Sequence, residues 1–179
     1  MPRLWVLAGD EYALELLTRG LRQGAADAEF VSLDGRELQA PDLAPHLLSL
    51  PMFAGRRVML VRRLVSSAAK GRRAEAEEGQ PAGGRGRNRA RELATVLLQA
   101  DPRVLVAALE PGLERDPSPE NNWLLGELRG LAPKFKLTTR RVDDTDDPSA
   151  AARDILEAEP VPDVEVVVLR FAASGPDGV

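Results

Sequence analysis

The sequence predicts an α/β fold with an open, mostly parallel five-stranded sheet flanked by helices. Two observations lead to this prediction. Short apolar runs alternate with segments whose leucines recur at helical spacing. Two of the runs, Val58–Val61 and Val104–Leu109, are apolar without interruption, which is typical of strands covered on both faces. Strands that alternate with helices are usually joined by crossover connections in a parallel sheet.

The first part of the chain contains three of the predicted strands and two predicted helices. Leu14, Leu17 and Leu21 share one helical face after the turn Gly9-Asp10-Glu11, and a second leucine stripe follows Pro41. We expect strands at Leu4–Ala8, Phe30–Leu33 and Arg57–Leu64, with a helix after the first turn and another over Pro41–Leu50.

The second part repeats the alternation. An apolar stripe of helical spacing, Ala90 to Leu97, precedes a fourth strand at Val104–Leu109. Ser118 followed by Pro119 predicts a helix N-terminus, because serine caps helices and proline fits the first helical position. The helix would lead into a fifth strand at Phe135–Val142.

Two segments depart from this order. Residues 66–89 are rich in glycine and arginine and have no large apolar side chain, so they predict a flexible insertion. We assign residues 1–147 to the α/β domain and residues 148–179 to a C-terminal appendage of one helix and one strand, which could be a truncated continuation. Its strand-like segment Val164–Phe171 is expected to add an edge strand or to dock elsewhere.

Composition excludes several classes of function. The chain has 179 residues, a formal net charge of -4 and no cysteine, which excludes disulfides, thiolate nucleophiles and cysteine metal sites. No apolar run approaches the roughly 18 residues of a membrane-spanning helix. We expect a cytoplasmic protein without a membrane partner.

The first strand, turn and helix resemble the frame of a phosphate-binding loop but lack its chemistry. The turn has one glycine and no lysine, and Asp10 and Glu11 place negative charge where a phosphate would bind. His46 is the only histidine and has no nearby serine partner, and Asp143, Asp144, Asp146 and Asp147 lack a regular calcium-loop spacing. We therefore predict no catalytic residues, metal site or cofactor.

Arginines in the insertion are the candidate contacts to DNA. Arg85, Arg87 and Arg89 could bind phosphates in a salt-dependent way. Neighbouring glutamates dilute this charge and no aromatic residue is interleaved for base stacking. A solvated insertion without a ligand is the alternative interpretation.

The stretch "SLPMFAGRRVMLVRRL", Ser49 to Leu64, places two large apolar side chains between a predicted helix and a strand. Met52 and Phe53 could cover the end of the core, or they could form an exposed contact site beside Leu50. Apolar anchors often dominate a protein interface, and methionine adapts to irregular pockets.

Taken in order, "LWVLAGDEYALELL", "FVSLDGREL", "HLLSLPMFAGRRVMLVRRL", "LLQADPRVLVAALE" and "FKLTTRRV" resemble the N-terminal domain of the delta subunit of the bacterial DNA polymerase III clamp loader. The resemblance covers roughly residues 3–142 and implies an AAA-type α/β fold without a working nucleotide site. It also implies that Met52 and Phe53, with Leu50 beside them, form a wedge that inserts into the sliding clamp and helps to open the ring.

The resemblance implies a non-catalytic role in DNA replication. The partners would be the sliding clamp, other clamp-loader subunits if the full-length protein has a collar domain, and DNA indirectly. Two alternatives stay open: a nucleotide-binding or nucleic-acid-processing α/β enzyme with an unrecognised site, and a degenerate interaction module that has changed partners.

Overall fold

A computed structural model describes residues 4–50, 52–53, 55–71, 84–143, 147–159, 161 and 163–172 of the chain. Helices and strands alternate throughout this part, as the apolar pattern predicts. In chain order the elements are β1 (Leu4–Gly9), α1 (Glu11–Gly24), β2 (Glu29–Asp34), α2 (Ala40–Leu48), β3 (Arg57–Arg62), a short 3-10 helix (Ser66–Ala68), α3 (Gly84–Leu98), β4 (Val104–Pro111), α4 (Trp123–Leu131), β5 (Phe135–Val142), α5 (Pro148–Glu157) and β6 (Val164–Phe171).

The strands form one six-stranded sheet in the order β2-β3-β4-β1-β6-β5, and every pairing is parallel. The predicted count of five strands is therefore wrong. The sixth strand is β6, at the segment Val164–Phe171 that was expected to add an edge strand or to dock elsewhere, and it pairs with β1 on one side and with β5 on the other. The expected edge strand is thus an interior strand, and the segment assigned to the appendage contributes to the central sheet.

Helices cover both faces of the sheet. The core on one face is formed with apolar side chains of α2, α3 and α4, and the core on the other face with those of α1 and α5. Interior strands have both faces covered, which explains why β4 is buried from Val104 to Glu110. Fully burying a leucine such as Leu43 or Leu47 of α2 contributes roughly 1.5–3 kcal/mol.

Local boundaries differ from the prediction at two helices. α2 ends at Leu48, so Leu50 lies outside the helix. α4 begins at Trp123 and its N-cap is Asn122, whose side chain accepts hydrogen bonds from the backbone N–H groups of Leu124 and Leu125 at 3.0 and 3.3 Å. The predicted cap at Ser118 is wrong because Ser118 instead exchanges hydrogen bonds with Asn121 in the preceding turn.

The predicted insertion is only partly a loop. Its first residues form the 3-10 helix, and residues 84–89 form the first turns of α3, which corrects the prediction for those positions. Residues 72–83 lie outside the described part of the chain. Among the described helices, none is long and apolar enough to cross a membrane.

Candidate functional site

The segment that joins α2 to β3 carries the two exposed apolar side chains of the opening motif. We call its described residues, 49–50, 52–53 and 55–56, the α2–β3 corner. The Met52 and Phe53 residues are 91% and 96% exposed. Leu50 is half-buried and packs against the core on the α2 side of the sheet. The alternative that Met52 and Phe53 cover the core is therefore wrong. Leu50 is the residue of the corner that packs against that core.

The C-terminal end of α2 is held by donors from outside the helix. The last carbonyls of a helix have no partner within it and require other donors. The Pro45 carbonyl accepts from Ser49 Oγ at 2.8 Å, the His46 carbonyl from Arg57 Nη1 at 2.5 Å, and the Leu47 carbonyl from the Asp101 N–H at 2.9 Å. Three successive carbonyls are thus satisfied, so the position at which the chain leaves the helix is fixed.

Arg57 is the central residue of this arrangement. Its Nη1 also donates to the Ser49 carbonyl, and its Nε donates to Glu29 Oε2 at 2.6 Å. The Arg57 residue is 6% exposed, and Glu29 on the neighbouring strand supplies the opposite charge. A guanidinium can serve several acceptors at once because its donors are arranged in a rigid planar fork.

The last residue of the corner is held as well. The Arg56 carbonyl accepts from the Glu29 N–H at 3.0 Å, and Arg56 Nη1 donates to the Leu156 carbonyl at the end of α5 at 2.8 Å. Partial burial lowers the pKa of the Arg56 guanidinium below its usual value. The corner therefore has fixed ends on both sides, and Met52 and Phe53 project from between them.

The turn between β1 and α1 carries acidic side chains at the N-terminus of the helix, where a phosphate-binding loop would hold its anion. Asp10 Oδ1 accepts from the Ala13 N–H at 2.8 Å and caps α1, and Glu11 Oε1 contacts Arg62 Nη2 at 2.7 Å. A groove of about 320 Å³ lies beside this turn, and Glu11 and Glu15 are among its lining residues. Two carboxylates and one arginine already paired with a carboxylate do not favour a phosphate at this position.

The three arginines proposed for DNA contact have different environments. Arg85 is exposed, and Arg87 Nε contacts Glu127 Oε1 at 3.2 Å. Arg89 is half-buried, and its guanidinium donates to the Leu38 carbonyl at 2.8 Å, to Ser67 Oγ at 3.1 Å and to the Gly35 carbonyl. Its donors therefore hold the loop between β2 and α2, which leaves Arg85 and Arg87 as the more accessible members of the set.

His46 and Asp147, two of the residues considered for catalysis or metal binding, lie at the ends of different helices. His46 is half-buried at the end of α2, and its carbonyl binds Arg57. Asp147 caps α5 by accepting from the Ser149 N–H at 2.9 Å, while Asp144 and Asp146 lie outside the described residues. In the described part of the chain, no group of three or more histidine, aspartate or glutamate side chains could hold a metal ion.

The sequence motif points to Met52 and Phe53 as a contact site but not to the residues that support them. Arg57 is only the first residue of a predicted strand, and the sequence pattern does not single out Glu29 or Asp101. The available signal was an arginine at the first position of a buried strand, where a charged side chain requires partners.

Comparisons with known proteins found no matching family model, curated protein or solved structure.

Proposed function

We propose that this chain binds a ring-shaped sliding clamp through Met52 and Phe53 and acts as a clamp-binding module of a bacterial replicative clamp loader. The observation that carries this proposal is the exposure of both side chains on a corner whose ends are fixed. The proposal includes an AAA-type fold without a nucleotide site, a cytoplasmic location and no catalytic activity of its own.

Exposed apolar side chains gain free energy when a partner buries them. Single exposed apolar residues are common, but an adjacent methionine and phenylalanine that are both more than nine-tenths exposed form a compact contact site. Each would lose most of its water contact in an apolar pocket, and burying such a side chain is worth roughly 1.5–3 kcal/mol. The clamp is the partner that the sequence resemblance specifies.

Fixed ends favour binding because they reduce the entropy that the corner loses in a complex. A segment already held near its bound conformation requires less ordering when it binds. The hydrogen bonds of Arg57, Asp101 and Arg56 restrain the ends of the corner while leaving Met52 and Phe53 accessible. The corner therefore combines accessible anchors with a restrained backbone.

The charge at the turn after β1 supports a role that does not depend on nucleotide binding. Glu11 and Arg62 form an ion pair beside the capped N-terminus of α1. A clamp-binding module requires no nucleotide of its own, because ATP can be bound by other subunits of a loader. We accordingly assign Met52, Phe53 and Leu50 to the clamp contact and assign no residue to catalysis.

The test is a calorimetric titration of the sliding clamp from the same organism with the wild-type chain and the Met52→Ala/Phe53→Ala variant. We expect the double variant to weaken binding by roughly 2–4 kcal/mol, as removal of interface anchors does. It should remain folded because neither side chain contributes to the core.

Leu131→Ala is the matched control, since Leu131 is an exposed apolar residue in α4. This control should bind as the wild type does. Absence of wild-type binding at high micromolar concentrations, or equal binding by the folded double variant, would refute the proposal.

A further inference from the structure

We infer that Arg57 is a positioning residue for the Met52–Phe53 contact site: it closes the α2–β3 corner into a restrained loop and so presents the pair to its partner. Arg57 is only 6% exposed and so offers almost no contact surface of its own. Its effect on binding rests on the proposed function, whereas its effect on the corner can be measured in the free protein.

The geometry is that of a loop closed by one side chain. The backbone of Arg57 pairs with Glu29 of β2 and with Val104 of β4, so its position is fixed by strands on both sides. Its side chain extends back to the start of the corner and donates to the carbonyls of His46 and Ser49. The same residue therefore holds both ends of the segment that contains Met52 and Phe53.

Arginine is the residue type that this position requires. Nη1 donates hydrogen bonds to two carbonyls, while Nε donates to the Glu29 carboxylate. A lysine ammonium is a point donor on a flexible stem and cannot reproduce this fork. A buried cation also needs its opposite charge, which Glu29 provides from a side chain that is 41% exposed.

The nearby Arg56 restrains the same corner but through a different contact. Its Nη1 binds the Leu156 carbonyl of α5, so it links the corner to the opposite face of the sheet and does not close the loop on itself. Asp101 holds the Leu47 carbonyl through its backbone N–H, and a side-chain substitution would not remove that hydrogen bond. Ser49 Oγ bonds only the Pro45 carbonyl one turn earlier, whereas Arg57 joins the start of the corner to the strand at its other end. Removal of the Arg57 side chain should therefore release the start of the corner.

The first measurement is backbone order by ¹⁵N relaxation at Met52, Phe53 and Gly55 in the free protein. We expect wild-type order parameters near those of rigid backbone, about 0.85, and values below about 0.6 in Arg57→Met. Arg57→Lys keeps the charge and should give intermediate values. It also provides a variant that folds if the loss of all donors in Arg57→Met prevents folding.

Arg170→Met is the matched control. Arg170 is a partly buried arginine on β6 that donates to the Leu113 carbonyl at 2.8 Å and to Asp116, at the other end of the strands. Its loss should lower stability without changing order in the corner. Three results would overturn the role of Arg57. The order parameters of the corner could be the same in both Arg57 variants as in the wild type, or they could already be below about 0.6 in the wild type. Arg170→Met could also lower them as much as the Arg57 variants do.

The second measurement is clamp affinity of the same folded variants by calorimetry. Arg57→Met should weaken binding about tenfold, because the corner then has to be ordered on binding. Arg170→Met should bind as the wild type does. A loss of corner order with unchanged affinity would overturn the contribution of Arg57 to binding. A wild-type chain that does not bind the clamp would refute the proposed function, and the restraint by Arg57 would still be supported if the corner loses order in the Arg57 variants alone.

Discussion

Glu110, the one acidic residue of β4, is fully buried in an otherwise apolar strand. Its carboxylate accepts from the N–H groups of Val65 and Ser66 at 2.5 and 3.2 Å, at the start of the 3-10 helix. Burial raises the pKa of Glu110 above its usual value, an effect opposed by hydrogen bonds from Ser66 and Val65 and by the charge of Arg63. The residue therefore connects the end of β4 to the segment after β3.

The raised pKa predicts a pH dependence that Glu110→Gln should remove. The folded state binds this proton more tightly than the unfolded state, so the contribution of Glu110 to stability is full below the usual carboxyl pKa of 4.5 and is lost as pH rises through the raised value. At acidic pH, Glu110→Gln should be less stable by roughly 1–3 kcal/mol, since its amide nitrogen would face one of the two N–H donors. At pH values above the raised pKa of Glu110, the difference in unfolding free energy between the wild type and Glu110→Gln should become smaller.

Urea unfolding of the wild type and Glu110→Gln at several pH values measures this gap. Taking the difference between the two proteins removes the contribution of exposed carboxylates such as Asp34, where Arg36 lowers the pKa to about 2. A gap that widens as pH rises above 4.5 would show that the charged form of Glu110 is the favoured one in the folded protein.

The β2–α2 connection packs closely against the end of β3 at Gly35. A Cβ added at Gly35 would lie 2.6 Å from Leu64 Cα and 2.8 Å from the Arg62 carbonyl oxygen. The Gly35 N–H donates to that same carbonyl at 2.6 Å, and its own carbonyl accepts from Arg89. This loop lies against the end of β3 because glycine allows the two backbones to approach.

Gly35→Ala should therefore destabilise the fold by roughly 1–3 kcal/mol, because the atoms in contact are backbone atoms that cannot move aside cheaply. Gly130→Ala is the control: Gly130 lies in α4 and an added Cβ there meets nothing within 4 Å. That substitution should stabilise the helix by up to about 1 kcal/mol. Thermal and urea unfolding would measure both, and a neutral Gly35→Ala would contradict the close approach.

At the scale of elements, periodicity predicted the helices and strands but not the contacts that end them. Leucine spacing placed α1 and α2, and uninterrupted apolar runs placed β3 and β4. The end of α2 at Leu48 depends on donors from Arg57 and Asp101, which are remote from the leucine stripe. The N-cap of α4 is Asn122, and the side chain of Asn122 also donates a hydrogen bond to the buried Val65 carbonyl. Both boundaries are set by tertiary contacts that a local pattern does not contain.

For the whole molecule, the parallel sheet separates two regions with different chemistry. The turn after β1, with its paired Glu11 and Arg62, lies where the strands end, whereas the α2–β3 corner lies where they begin. The sequence motif predicted the apolar character of the corner. Its exposure and its supports depend on the placement of β2, β4 and α5 around Arg56 and Arg57, which only the assembled sheet provides.

The position of β6 is the main feature of the whole fold that the sequence pattern did not predict. Its alternating valines are consistent with an edge strand, yet β6 lies between β1 and β5 and is buried at Val166, Val168 and Leu169. β5 occupies the edge instead, and most of its residues are exposed or half-buried. Strand order depends on which crossover each helix makes, and periodicity along the chain does not specify it.

The most direct test of the central claim is methyl NMR of the methionines during titration with the sliding clamp. Met52 is exposed in the α2–β3 corner, while Met59 is fully buried in β3 and serves as an internal control within the same chain. We predict that the Met52 methyl resonance shifts or broadens on clamp addition while that of Met59 stays unchanged. A Met52 resonance that is unaffected at saturating clamp concentration would contradict the proposed clamp contact.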